Sequence, residues 1–229
     1  MSAPGGVPRA SVTAKIVKFE LRDVVRSRWL IAYALFFLVA TDALLRFGGG
    51  GAKALLSLMN VVLLLVPLVS TVFGTMYLYN AREFTELLLA QPVRRGELYA
   101  GLYLGLVFPL TAGLVAGLVV PFLVHGVDEV GEWRLLAALV LTGAALTCVF
   151  VALAFLVAIR SEDRAKGLGV AIGVWLLFSL LYDGLVLLAV LLLADFPLER
   201  PLLGLMLANP VDLARVVLLR LRALAERSA

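Results

Sequence analysis

The feature that most narrows the folds open to this chain is a series of five long apolar runs, at about residues 29–47, 54–79, 98–124, 135–159 and 168–194. A hydrocarbon core about 30 Å thick is crossed by about 20 residues of α-helix. Within lipid no water is available to stray backbone N–H and C=O groups, so a spanning segment is a helix or part of a closed barrel. Runs this long predict an all-α polytopic membrane protein with five transmembrane helices. Gly48 to Gly51 read as a flexible turn between the first two.

Composition supports that class. Hydrophobic residues make up 62% of the chain and charged residues 16%, whereas soluble domains are roughly 45–50% apolar. Too little polar surface remains to cover a soluble fold of this size. One cysteine, Cys148, rules out an intramolecular disulfide framework and a thiolate-rich metal site, and one histidine, His125, leaves no pair for a zinc motif. No Gly-x-x-x-x-Gly-Lys-Ser/Thr loop is present, so nucleotide phosphates are not held in the P-loop manner. Neither a metal nor a cofactor is expected on this chain.

The positive charge is distributed by side of the membrane. Arg9, Lys15, Lys18, Arg22, Arg26, Arg28, Arg82, Arg94, Arg95, Arg160, Arg164 and Lys166 fall on one side, against Arg46, Lys53 and Arg134 on the other. Lysine and arginine in short loops mark the cytoplasmic face, so the expected orientation places the N-terminus in the cytoplasm of a bacterial inner membrane. The basic balance is then topological, and nucleic acid is not an expected partner. Residues 1–10 read as a disordered tail rather than a signal peptide. Residues 29–195 form the transmembrane domain, and 196–229 an extracytoplasmic tail with a short amphipathic helix after Pro210. Leu202 to Leu219 is apolar enough to suggest a sixth span, but Asn209, Pro210, Asp212 and Arg215 interrupt it.

Three groups of residues are candidates for function. In segment 11–28, Lys15, Lys18, Arg22 and Arg26 form a basic stripe beside an apolar one, the pattern of a helix lying among lipid headgroups or anchoring the topology. The connector from Asn80 to Gly96 can start a short helix with Asn80 as its cap and Glu83 reaching back. Pro92 ends that helix. Glu83, Glu86, Gln91, Arg94 and Arg95 surround Phe84, Leu87 and Leu88, apolar groups that suit a cytoplasmic protein partner. Asp42, Asn60 and Asp183 lie inside apolar runs, where polar groups are functional hypotheses or packing devices. Gly113-x-x-x-Gly117 and Gly169-x-x-x-Gly173 permit close helix contact, and Pro67, Pro109 and Pro121 permit kinks. Met59, Met76 and Met206 are too scattered for a copper relay.

The connector, of the form Glu-x-x-x-Leu-Leu-x-x-Pro-x-x-Arg, resembles the coupling helix of type-2 ABC export permeases, and segment 11–28 resembles their elbow helix. The stretches beginning Gly167-Leu-Gly-Val-Ala-Ile-Gly-Val-Trp and Leu207-Ala-Asn-Pro-Val-Asp-Leu-Ala-Arg are similar to the NosY-type permeases of the transporter that matures nitrous oxide reductase. The chain differs from the pattern in lacking the family's sixth span and in having Gly101-Leu102 where Gly-Lys often opens the third. The resemblance implies a non-enzymatic membrane subunit driven by a separate cytoplasmic ABC ATPase, which binds the ATP. It also implies a homodimer of permeases, a periplasmic partner of repeated β structure, and a role in copper-site assembly. Two other classes compete. One is an integral membrane enzyme, for which Tyr182-Asp183-Gly184 is reminiscent of the CDP-alcohol phosphotransferases without their further aspartates. The other is a membrane assembly factor that works without an ATPase.

Overall fold

Each apolar run pairs its own backbone groups by becoming a helix. In the computed structural model, which describes residues 27–82, 95–125, 130–192 and 209–228, α1 is Arg28–Phe47, α2 Gly51–Asn80, α3 Arg95–His125 and α4 Val130–Arg160. The fifth run is α5, Arg164–Leu176, then a π turn at Leu177–Leu181, then α6, Tyr182–Leu192. A further helix, α7, is Pro210–Ser228. No strand occurs among the described residues, and five helices are long and apolar enough to cross a membrane. The expected all-α, five-span class holds.

The helices outrun the apolar residues that predict them. α4 begins at Val130 rather than near 135 and carries Glu132 in its first turn, where a carboxylate complements the positive end of the helix dipole. That carboxylate also lies against Gly51, at the start of α2. α5 begins at Arg164 because the Asp163 side chain accepts from the amides of Ala165 and Lys166, at 2.7 and 3.3 Å, a standard N-cap. The turn between α1 and α2 needs its glycines: Gly49 and Gly50 have φ of 77° and 117°, which a side chain would oppose.

Two helix pairings dominate, α2 with α4 and α1 with α3. Helices in lipid gain little from the hydrophobic effect between themselves, so close backbone approach at small residues matters most. Both pairings use it. A Cβ on Gly74 would come within 2.7 Å of the Ala154 methyl on α4, and one on Gly117 within 2.5 Å of Phe37 Cβ on α1. The face of α1 turned toward α3 is Leu30, Tyr33, Phe37 and Thr41, all buried. α3 also packs on α4, where Leu114 fills the space above Gly143 and the Tyr103 hydroxyl donates to the Cys148 carbonyl at 2.8 Å.

The region after span five packs into the bundle. α7 has 19 residues, more than the short surface helix expected, and it packs against α4, α2 and the π turn. Asn209, fully buried, sets its start. Its Oδ1 accepts from Val211 N at 3.0 Å, and its Nδ2 donates to Phe178 O at 2.9 Å and Asp212 Oδ2 at 2.8 Å. Phe178 lies about 21 Å along the fifth run from Arg164 at about 1.5 Å per residue, so α7 starts deep within the bundle. Val211, Ala214 and Leu218 line its buried face, and Leu218 meets Leu55, Met59, Leu135 and Leu139 near the starts of α2 and α4. α7 therefore runs outward toward the end opposite the connector. Arg215, near Asp212 at 3.6 Å, is thus accommodated inside a packed helix.

Asn209→Leu removes the cap of α7 and leaves the Phe178 carbonyl without this partner. A lost cap costs about 1 kcal/mol. We expect α7 to release from α4 while the five spans stay in place, seen as rapid tryptic cleavage after Arg215 in Asn209→Leu and slow cleavage in the parent chain.

Candidate functional site

The connector between α2 and α3 is the strongest functional candidate in the sequence, and the described residues show how the bundle holds its ends. α2 ends in Tyr79 and Asn80, followed by Ala81 and Arg82, directly before the connector. The last carbonyls of any α-helix have no partner within it. At the end of α4, Arg82 supplies partners: its guanidinium donates to the carbonyls of Ala158 and Glu162, each at 2.9 Å, and to that of Ser161. A cation at a helix C-terminus also gains from the dipole, and the planar fork of arginine reaches several acceptors at once.

Tyr79 completes the junction. Its ring lies under the Arg82 guanidinium, 4.4 Å from carbon to centroid, a cation–π arrangement. Its hydroxyl donates to Ser161 O at 2.9 Å and approaches Asp163 O at 3.2 Å. The ring rests on Gly167 in the first turns of α5, where an added Cβ would overlap the hydroxyl. Only glycine fits under Tyr79. Arg164 adds a contact from its Nη2 to Met76 Sδ at 3.5 Å. The end of α2, the end of α4, the turn 161–163 and the start of α5 therefore meet in one cluster. At the connector's other end, Arg95 and Gly96 are exposed, and a Cβ on Gly96 would meet nothing within 4 Å.

The opposite end of the bundle holds a second polar group. Asp42 Oδ2 pairs with Arg46 Nε at 2.8 Å, and Asp42 Oδ1 lies 3.5 Å from His125 Nε2. His125 Nδ1 lies 3.0 Å from Pro121 O, one turn earlier in α3. This group ties the end of α1 to that of α3.

Of the sequence candidates, Glu83, Phe84, Glu86, Leu87, Leu88, Gln91 and Arg94 lie outside the described residues, as do Lys15, Lys18, Arg22 and Arg26. Among the described residues, Asp42 and Asn60 are not joined into one site. Asp42 serves the α1–α3 junction, and Asn60, exposed, bonds back to Leu56 O in its own helix at 3.3 Å. Asp183 falls within α6, but its side chain lies outside the described residues. Sequence reasoning missed Tyr79 and Arg82 as a unit. The available signal was an aromatic and an arginine one helical turn apart at the exit of a span, facing a loop whose carbonyls follow a helix end.

Comparison with known proteins bears on the whole chain. Residues 14–228 match the family described as ABC-2 family transporter protein. The probable ABC transporter permease protein NosY of Pseudomonas aeruginosa is 33% identical over 219 residues, covering 88% of this chain and 79% of that protein. The protein of the same name from Stutzerimonas stutzeri is 29% identical over 219 residues, with the same coverage.

Proposed function

We propose a specific task for this chain, which belongs to the ABC-2 family of transporter proteins. As the permease of an ABC transporter it is a multi-pass protein of the inner membrane, and ATP hydrolysis belongs to a partner subunit. The task is to turn that hydrolysis into export, or into force transmitted across the membrane, for copper-site maturation of nitrous oxide reductase. The observation that carries this reading is the 33% identity to a NosY-named permease across nearly the whole chain. The connector end then faces the cytoplasm, in line with the lysine and arginine distribution, and the Asn80–Gly96 connector receives the ATPase. No cofactor is held by the chain, and ATP stays at the partner.

A second copy of the chain and a periplasmic partner of repeated β structure complete the proposed assembly. Support for the second copy comes from the fifth run, where Gly169 and Gly173 have open space at the Cβ position and Val170 and Ile172 are exposed. The segment 11–28 lies on the cytoplasmic lipid surface through Lys15, Lys18, Arg22 and Arg26.

The test is complementation. A strain deleted for its own NosY-type permease, supplied with the complete permease and its ATPase, should regain copper-loaded nitrous oxide reductase. Copper-free enzyme alongside an intact, ATP-hydrolysing complex would assign the transporter to another cargo. In the same strain Asp183→Asn should preserve assembly, whereas Asp183→Leu should lower copper loading. A carboxylate in hydrocarbon is costly enough that it should be protonated or partnered. Normal loading in Asp183→Leu would remove the residue from the mechanism.

A further inference from the structure

We infer that Tyr79 and Arg82 are positioning residues that join the last turn of α2, the end of α4 and the start of α5 into one lever, so that displacement arriving from the connector reaches all three elements together. This rests on the reading above that the connector receives an ATPase. All hydrogen-bond partners of Arg82 in the 158–162 region are backbone carbonyls, so the attachment grips the chain itself rather than a side chain free to rotate. A surface ion pair would be screened and worth little. A guanidinium on the orphan carbonyls of a helix end meets a fixed, oriented field.

Arg82 is the residue at which α2 hands over to the connector, whereas at the connector's far end Arg95 and Gly96 stand exposed. Among the described residues flanking the connector, the cross-helix hydrogen bonds are those of Tyr79 and Arg82. A displacement there pulls on α2 and, through Arg82, on Ala158, Ser161 and Glu162. Tyr79 carries it on to α5, since its ring is seated on Gly167 with no room for a Cβ between them. Gly74 and Ala154, in contact between α2 and α4 deeper in the span, keep the same pair from sliding. The result is a rigid unit of the kind that two-state transitions move as a body.

The lever can be measured with and without the partner. Spin labels at Asn80→Cys and Lys166→Cys, in the complete permease on a Cys148→Ala background in nanodiscs, should report one narrow distance. Arg82→Ala should broaden that distribution. Tyr79→Phe, which keeps the ring and loses the hydroxyl, should broaden it less, and it carries the same test if Arg82→Ala does not fold. With the ATPase present, both variants should still recover the partner and hydrolyse ATP. The ATP-driven change in maleimide labelling of Gly184→Cys, on the fifth run, should fall about fivefold or more, the lower bound of ordinary coupling between sites. A distribution as narrow as the parent's in both variants, or full ATP-driven labelling, overturns the lever. If the parent permease recovers no ATPase, the docking reading fails instead, and the distance measurement still decides the lever.

Discussion

Phe84→Ala combined with Glu86→Ala is expected to abolish recovery of the ATPase with the permease while leaving membrane insertion intact. Phe84, Leu87, Leu88 and Leu89 sit in a loop between two spans, on the side where twelve of the fifteen lysines and arginines outside the 197–229 tail accumulate. Water penalises such side chains, and burying each in a protein groove is worth about 1.5–3 kcal/mol. Glu83 and Glu86 add pairing with basic groups on the partner, which favours correct register over raw affinity. A loss of about 2.8 kcal/mol weakens binding about a hundredfold, enough to remove a partner from a purification. Pro92 is expected to end a connector helix early, since it cannot donate its backbone hydrogen bond. Affinity purification of the tagged permease from membranes, with quantification of the ATPase, checks the outcome. Normal recovery by the double variant would place the docking surface elsewhere and return Phe84 and the leucines to the membrane surface.

How much of this was legible in the sequence depends on the range of the interaction. The spans were legible because each is set by a single local quantity, about 20 apolar residues in a row, and all five fall where that quantity places them. Helix ends were less so. Asp163 and Glu132 extend α5 and α4 beyond their apolar cores through capping and dipole effects that a hydropathy reading ignores. The π turn at Leu177–Leu181 left no mark in the run Leu-Phe-Ser-Leu-Leu, because its partner is remote in sequence, Asn209 donating to Phe178 O from 31 positions away. Asn209-Pro210 itself carried a readable signal, a capping residue followed by proline at the first helical position, and a helix was expected there. Its burial was not, because Asp212 and Arg215 look prohibitive in lipid until their partners within α7 are seen. Tyr79 and Arg82 illustrate the same limit. Each is ordinary by itself, and only the fold brings them to carbonyls about 80 positions away.

Gly117→Leu is expected to detach α1 from the bundle, whereas Gly173→Leu is expected to leave the single chain folded. The two glycines belong to the same sequence pattern, and the pattern alone does not separate them. Around Gly117 an added Cβ would lie 2.5 Å from Phe37 Cβ, 3.0 Å from Ala34 O and 3.2 Å from Leu38 N. Two of those three atoms are backbone, so no rotamer change relieves the overlap and α1 has to move as a whole. Overpacking of this kind costs about 1–3 kcal/mol and sometimes more, and Leu adds three carbons beyond the Cβ. α1 has little to offset that cost. It makes its main contact with α3, through Leu30, Tyr33, Phe37 and Thr41, and the pair Asp42–His125 pins only its far end. Around Gly173 nothing lies within 4 Å, so a leucine there projects into lipid or toward a second copy. Disulfide trapping between Ala34→Cys and Gly113→Cys, on a Cys148→Ala background, reports the first contact, and cross-linking between copies reports the second. The expected result is loss of the α1–α3 disulfide in Gly117→Leu alone, with cross-linking between copies lost in Gly173→Leu alone. If Gly117→Leu retains the α1–α3 disulfide in full, close approach at this glycine is not what seats α1, and the Asp42–His125 junction has to be credited with holding the helix.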